Sequence, residues 1–526
     1  KEIDQFHFSS SLELNLNEED IFKLSLTHSE HENTMSRPDT ISSRFTAALN
    51  NTGGPNSNLT WNLFDPSQNT EILKKYITGS EDSTHESKLS ILDILFQSKI
   101  NNVDYALGFQ AGSENLDVAW NDLSRVEFNA VGKMTKAADL LFLGGGSNVD
   151  AQREKYSLFT EINPYFGSDL DLKLSARYEK IGKETSFDPK ISLKKYFNNN
   201  IIFRGSLGTS YAMPSLGQMY SARTSLNRVD GNFIRVSKQG NINSGVPAES
   251  GDSYVDINLI PQIVVERIEI LKEGATSLYG SDAIAGVVNF LTYQRFEGNK
   301  LKLSNQKTQH YGQDDRKIEF LHGSNINDIN LILGFEILNR SSLPSKKIDG
   351  ISELGISIFG NTFLTKEDGT FASSGIYSGT TYNYDEEENK AEKIVSPNCE
   401  ANGFTLYVGY CGFIYGDRFN ITNDESHNKI YLNANKSFDT YKLSSTFISS
   451  SIKVNDNPQS PSYPALSFPE IGVGKAGSPF NKAVTWYGRP LAASSPSPLS
   501  PKEIDQFHFS SSLELNLNEE DIFKLS

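Results

Sequence analysis

The residues of this 526-residue chain that could do chemistry fall into a few small groups. Glu266, Arg267 and Glu269 alternate with apolar residues across Val264–Leu271. Charges set into a β-branched run either pair with a neighbouring wall or solvate one face of a strand. His28 and His31 stand three apart, a spacing at which two ligands can share a cation, but no third ligand is nearby and a solvated loop accounts for them. Asp385, Glu386, Glu387 and Glu388 form an acidic run, read as a solvated loop, with a cationic ligand or a divalent ion as the functional alternative. Cys399 and Cys411, the two cysteines of the chain, are too far apart for a redox CxxC pair and have no histidine beside them to complete a zinc site. A bridge between them would close a small loop and stabilise it by roughly 2–3 kcal/mol on the loop-entropy model. Gly144-Gly145-Gly146 follows an apolar run as a phosphate loop would, but no Lys-Ser/Thr pair follows, so a flexible turn is expected. No nucleophile elbow, HExxH helix, Walker loop or dinucleotide fingerprint is present, and no two carboxylates are marked as an acid/base couple. The reading is a non-enzyme without cofactor or metal.

The elements that must position these groups read as β-strands. Only 37% of residues are hydrophobic, and no apolar run is long enough for a membrane-spanning helix. A β-barrel would hide its lipid face in alternate positions of short strands, and the abundance of Tyr, Phe and Gly over Met and Cys fits one. A net charge of −16 argues against a nucleic-acid partner. Phe6, Phe8, Leu12, Leu14 and Leu16 alternate with polar residues, Asn17–Asp20 supply a turn, and Phe22, Leu24 and Leu26 alternate on the return, which is a hairpin. Ala47–Pro66 reads as a loop, and Lys88–Phe109 as either helix or strand. From Val118 to Gly205, β-prone runs of about ten residues alternate with tight turns such as Gly167–Asp169 and Asn198–Asn200, the spacing of barrel hairpins with short periplasmic connections. The pattern resumes over residues 293–350. Asn455–Pro501 holds nine of the 19 prolines and reads as a long extracellular loop. Between these regions, Ile263–Thr292 reads as strand, short helical link, strand, with Gly274, Gly280 and Gly286 at points that need positive φ or close backbone approach.

That stretch, IVVERIEILKEGATSLYGSDAIAGVVNFLT, resembles the second half of the plug domain of TonB-dependent outer-membrane receptors, whose hallmark is an ERIEVLKGPASALYGSGAIGGVVN-like run. Val229-Asp230-Gly231 resembles the family's V-D-G element, and Tyr254–Pro261 its V-D-L-N-x-I-P element. Glu273-Gly274 departs from the commoner Gly-Pro, and Asp282 from Gly. Arg204–Tyr220, RGSLGTSYAMPSLGQMY, is similar to an element near the C-terminal side of the barrel. The resemblance implies a mainly β fold, a transmembrane antiparallel β-barrel of about 22 strands in an intact relative, with a small α+β plug fragment. Plug residues carried over from the motif are Glu266, Arg267, Glu269, Gly274, Tyr279, Gly280 and Gly286, and the charged ones are candidates to pair with the lumen wall. Related receptors carry a cysteine pair placed like Cys399 and Cys411, which makes the bridge the expectation. The implied function is energy-coupled uptake of a scarce nutrient of the siderophore, cobalamin or glycan class. The implied partners are a TonB-like inner-membrane transducer and outer-membrane lipid, and the implied place is the cell outer membrane. The alternatives are a passive porin or adhesion barrel, and a soluble secreted β-rich binding protein.

Residues 1–25 recur without a change as residues 502–526. One identical copy is unlike the drifting copies of a repeat protein and reads as a sequence wrapped past its own start. The order of the family-like features agrees: 1–220 reads as the later part of the barrel, 221–297 as the second half of the plug, 298–501 as the early barrel with long extracellular loops, and 502–526 as the duplicate hairpin. On this reading the natural order is 223–501, 502–526, then 26–220, without signal peptide, first half of the plug, TonB box or last strands. Lys1 is followed by neither a basic nor an apolar leader region, as in a mature or incomplete chain. A partial or oddly closed sheet is expected, with the two copies competing for one strand position.

Overall fold

The computed structural model describes residues 1–17, 19–130, 134–198, 201–211, 213–221, 223–229, 232–238, 257–271, 286–351, 354–365, 392–459, 463–465, 469–491 and 497–516. Fourteen strands form one large sheet. Its N-terminal strands are β1 (Glu2–Asn15), β2 (Ile21–Thr40), β3 (Thr78–Ile100), β4 (Val103–Trp120), β5 (Val149–Pro164), β6 (Leu170–Ile181), β7 (Glu184–Asn198) and β8 (Ile201–Gly208). A separate hairpin, β9 (Val265–Leu271) and β10 (Val287–Thr292), precedes β11 (Gly298–Lys307), β12 (Asp314–Ile326), β13 (Ile329–Arg340), β14 (Glu425–Ser437), β15 (Tyr441–Val454) and β16 (Lys502–Asn516). The sheet runs β8-β7-β6-β5-β4-β3-β2-β1-β16-β15-β14-β13-β12-β11, with β8 and β11 at its edges. All its neighbours are antiparallel except β1 and β16.

Register gives the sheet one apolar and one polar face, because directly opposed residues point the same way. Leu443 of β15 opposes Leu513, and the same residue type in the other copy, Leu12, opposes Leu24, which leads to Ile94, Phe109, Leu158, Tyr178 and Phe187. One residue along, the row is Ser444–Ser512, then Ser11, Ser25, Asp93, Gln110, Ser157 and Glu179. The apolar face is the exposed one: Leu158, Tyr178, Phe187, Leu333 and Leu432 are all open, while Ser157, Arg177, Glu179, Glu319, Glu336 and Lys429 are buried. This inverts the usual order of a protein in water and matches a barrel wall with lipid outside and a polar lumen.

The two ends of the sheet differ as well. At one end β1–β2, β3–β4, β5–β6, β12–β13 and β14–β15 are joined by turns of a few residues, with Asn101, Asn327 and Asp328 at positive φ. Nearly all the long connections leave from the other end, after β2, β4, β13 and β15. They build a cap around α1 (Ser42–Leu49), α2 (Glu71–Ile77) and short strands at Asn361–Thr365 and Val484–Gly488. Its core is Phe45, Trp61, Phe64, Leu73, Ile77, Phe363 and Trp486.

Several expectations are corrected. The region expected as a loop over 47–66 is one from Asn50 onward, and only its first three residues belong to α1; α2 follows it, with Thr70 as its N-cap accepting from the Leu73 amide. Lys88–Phe109 is wholly in β3, its turn and β4. His28 and His31 lie in β2, not in a loop, and an odd spacing in a strand sends them to opposite faces, so they share no cation. Both copies are placed in the sheet at once, where one strand position was expected to be contested: β1 and β16 lie side by side, parallel, each residue opposite its own duplicate from Glu2↔Glu503 to Asn15↔Asn516. The acidic run at 385–388 is outside the described residues.

Adjacent positions should therefore respond oppositely to charge. For the chain refolded in lipid bilayers, Leu158→Arg should cost about 2–4 kcal/mol near the bilayer midplane, whereas Ser25→Arg on the polar face should cost far less. Urea unfolding followed by tryptophan fluorescence measures both.

Candidate functional site

The polar face carries a seat for the segment that leads into and out of the β9–β10 hairpin. Strands β9 and β10 pair antiparallel, Leu271 opposite Val287 and Val265 opposite Thr292, which are the two strands expected of Ile263–Thr292; the short helical link expected between them lies outside the described residues. Gly286 takes φ +149°, a value that favours glycine. Gly274, Tyr279 and Gly280 lie outside the described residues. Most of the hairpin is exposed, and only its base is held.

Apolar contact comes first. Ile263 and Val264 are buried against Leu321 of β12, Ile332 of β13 and Tyr431 of β14, with Tyr293 and Phe296 packed on the same cluster. Two wall glycines make the fit possible. A Cβ on Gly334 would stand 2.2 Å from Val264 Cγ1, and one on Gly323 would stand 2.0 Å from the Phe296 carbonyl oxygen. At both positions any side chain would occupy the space the segment fills.

Hydrogen bonds then fix the register of the segment on the wall. The Gln262 amide donates to Glu336 Oε2 at 3.0 Å, the Tyr431 hydroxyl donates to Thr292 Oγ1 at 2.9 Å, and Asn435 Nδ2 donates to the Gln294 carbonyl at 2.7 Å. Ser450 Oγ donates to the Leu259 carbonyl. Each wall group reaches the segment's backbone or a neutral side chain.

The charges beneath the seat are neutralised within the wall. Glu319 and Glu336 oppose each other across β12 and β13, an arrangement that like charges disfavour. Lys317 bridges both at 3.2 Å, Lys302 lies 2.9 Å from Glu319, and Lys429 lies 2.7 Å from Glu336. The expectation that Glu266, Arg267 and Glu269 pair with this wall is corrected: Arg267 is held by its own strand, 2.9 Å from Glu269 and 3.3 Å from Glu266, with all three exposed. Consecutive odd positions on one strand face bring Arg267 and Glu269 together, and the wall glutamates already have lysines.

A second polar cluster lies on the same face at β4–β6. Arg153 holds Glu114 through Nε at 3.1 Å and donates to the Pro214 carbonyl at 2.8 Å, which draws in the short helix α3 (Leu216–Tyr220). Leu216 packs on Val118, Val149 and Ala151. The stretch 204–220, singled out in the sequence, thus runs up β8 and folds back onto the wall.

At the end of β2, one carboxylate ties the connections that follow β2 and β4 together. Asp39 accepts the Thr40 amide at 2.7 Å, the Phe142 amide at 2.9 Å and the Leu143 amide at 2.7 Å. Glu81 accepts the Gly144 amide at 2.8 Å and is paired with Arg37 Nε at 2.7 Å. The apolar-then-glycine run that looked like a phosphate loop has its amides bound to these carboxylates, with Gly144 and Gly145 at φ +86° and +112°. Phe142 stacks on Tyr463 from the proline-rich connection at 4.7 Å. Elsewhere in the cap Cys399 and Cys411 are joined, with Cα atoms 5.7 Å apart, and Phe404 and Phe413 pack over them. Arg489 lies 4.3 Å over the Phe413 ring and donates to the Phe359 carbonyl at 3.0 Å; burial pushes its guanidinium down to about 9, so it remains charged at neutral pH.

Residues 3–255 match the family model described as TonB dependent receptor-like, beta-barrel. Just under half of the chain is thus TonB-dependent receptor-like in sequence. A curated relative, the vitamin B12 transporter BtuB of Vibrio vulnificus (strain CMCP6), is 46% identical over 48 residues, which is 9% of this chain and 8% of that protein. BtuB of Vibrio cholerae serotype O1 matches to the same extent. Among solved structures, the copper transporter OprC aligns with 84% of this chain and 47% of its own at 6% identity and TM-score 0.24. The siderophore receptor PirA from Pseudomonas aeruginosa aligns with 84% and 62% at 6% identity and TM-score 0.21. The chain spans less than a tenth of the curated relatives it matches and under two thirds of those solved structures. The family is one of outer-membrane receptors and transporters, and the seat and cap described above rest on this chain's own register.

Three substitutions separate the contributions. Gly334→Ala should unseat Val264 at a cost of about 1–3 kcal/mol from overpacking, read as faster alkylation of a cysteine placed at Val264. Glu336→Ala leaves the buried Lys429 without its partner and should cost about 3–5 kcal/mol in urea unfolding, while the exposed Arg267→Ala should cost less than about 1 kcal/mol. Cys411→Ser should loosen the cap by roughly 2–3 kcal/mol, measured as protease sensitivity of residues 392–420.

Proposed function

We propose that this chain is the plug-and-wall portion of an outer-membrane receptor that takes up a scarce nutrient, with energy delivered by a TonB-like inner-membrane transducer pulling on the plug. The observation that carries this reading is the plug-like segment seated on the polar face of a sheet whose apolar face is exposed. A passive pore or an adhesion barrel has no need of such a seat. A soluble β-rich protein would bury the face that is open here. The wide lumen of a large barrel leaks unless it is filled, and a plug held by a small apolar cluster and a few hydrogen bonds is firm at rest and removable under force.

The nutrient class follows the family: a siderophore, cobalamin or glycan. The short match to vitamin B12 transporters and the likeness to a siderophore receptor favour the first two without choosing between them. The cap, rich in aromatic side chains and tied down by Asp39 and the Cys399–Cys411 bridge, is the surface on which the ligand would land. Site residues of the plug motif, Glu266, Arg267, Glu269, Gly274, Tyr279, Gly280 and Gly286, belong to the moving part in this reading.

Uptake of radiolabelled ferric siderophore and of cobalamin into cells carrying the gene for this chain, with and without the transducer, tests the proposal. Accumulation of one of them that disappears when the transducer is deleted is the expected outcome. Accumulation that persists without it, and rises linearly with external concentration, would leave a passive pore.

A further inference from the structure

We infer that residues 2–15 and 502–516 are two occupants of a single strand position, and that the sheet is built for thirteen antiparallel strands running from Gly298 through one copy to Gly208. Three independent features of the seam between β1 and β16 carry this.

The first is direction. β1 is antiparallel to β2, β16 is antiparallel to β15, and the one parallel pairing in the sheet is between the copies themselves. Take either copy away and what remains is antiparallel throughout. Each strand then neighbours the next one along the chain at every joint but one, where the remaining copy meets β15 or β2.

The second is register. Because each residue lies opposite its own duplicate, the parity of the faces is the same on both sides of the seam. Phe6 stacks on Phe507 at 5.8 Å and Phe8 on Phe509 at 6.0 Å, all pointing to the apolar side. With one copy removed the apolar row closes up as Leu443–Leu12–Leu24–Ile94–Phe109, and the polar row as Ser444–Ser11–Ser25–Asp93–Gln110, with no interruption. A one-residue slip would have put serines outward.

The third is charge. The seam sets Glu2 against Glu503, Asp4 against Asp505 and Glu13 against Glu514, and like charges directly opposed destabilise a strand pair. On their outer sides the last of these pairs is complemented: Glu13 lies 3.7 Å from Lys23 of β2, and Glu514 lies 3.7 Å from Lys442 of β15. A single copy would place one glutamate between both lysines. Parallel pairing is also slightly weaker per residue than antiparallel. The seam combines opposed like charges with the weaker kind of pairing, and it vanishes when one copy leaves.

The full chain, refolded in detergent, tests this with cysteine pairs. Ser10 and Ser445 are separated by the whole of β16, so a Ser10→Cys/Ser445→Cys chain should form little disulfide, while Ser511→Cys/Ser445→Cys should form it readily. Adding Ser510→Pro and Ser512→Pro removes two ladder donors from β16 and should eject it. The Ser10–Ser445 disulfide should then rise at least ten-fold as β1 moves against β15. The mirror experiment, Ser9→Pro and Ser11→Pro in β1, should bring Ser511→Cys to Leu26→Cys of β2. Leu331→Cys/Ala434→Cys, across β13 and β14, reports whether the rest of the sheet stands. If that control link forms and neither rescued link does, the copies do not share a position. If proline in one copy alone abolishes the control link as well, one copy is not sufficient, and the inference fails equally.

Discussion

Everything in this structure depends on the obligation of a sheet surrounded by hydrocarbon to satisfy its backbone sideways and to present apolar side chains outward. Strand pairing meets the first demand without help from solvent. Period-two alternation meets the second, at the cost of forcing every other residue of every strand onto the opposite face. In a chain with 37% hydrophobic residues that opposite face is necessarily polar, and it must be given partners. The buried glutamates, lysines and arginines of β4–β6 and β12–β14 are those residues, arranged so that each charge finds a counter-charge on its own or a neighbouring strand.

The wall's electrical self-sufficiency determines how it can hold anything else. Glu319 and Glu336 are bound by Lys302, Lys317 and Lys429 before the hairpin segment arrives, which leaves backbone hydrogen bonds and a small apolar contact as the means of attachment. Hydrogen bonds to backbone groups are insensitive to the identity of the side chains moving past, and each contributes only about 1 kcal/mol net. A segment held by several such contacts is positioned closely yet is not locked by any desolvated ion pair, whose rupture would leave a bare charge in the wall.

The cap obeys a different rule because it faces water. There the long connections have no ladder to organise them, and they use a packed aromatic core, one disulfide and carboxylates aimed at amides. Asp39 sits at the end of β2, where the strand hands over to the cap, and by binding amides of the β4–β5 connection it transmits the geometry of the sheet into the loops above. Phe142 and Tyr463 extend that tie to the proline-rich connection.

Alternation is local, so the sequence alone determined which residues of Phe6–Leu26 share a face, that a tight turn falls at Gly167–Asp169 and that Val264–Leu271 and Val287–Leu291 are strands. The motif of Ile263–Thr292 pointed to the family, and two cysteines in a chain of this length left one possible intramolecular bridge. What a local pattern does not contain is register between strands that are far apart in sequence. Only the folded sheet decided that Gly334 and Gly323 make room for Val264 and Phe296, that the amides after Leu141 go to a carboxylate about a hundred residues earlier, and that Arg267 turns to its own strand because lysines had already taken the wall's glutamates. The side-by-side placement of two identical strands belongs to the same class. Each copy carries the same pattern, and only the edges offered by β2 and β15 determine where each one goes.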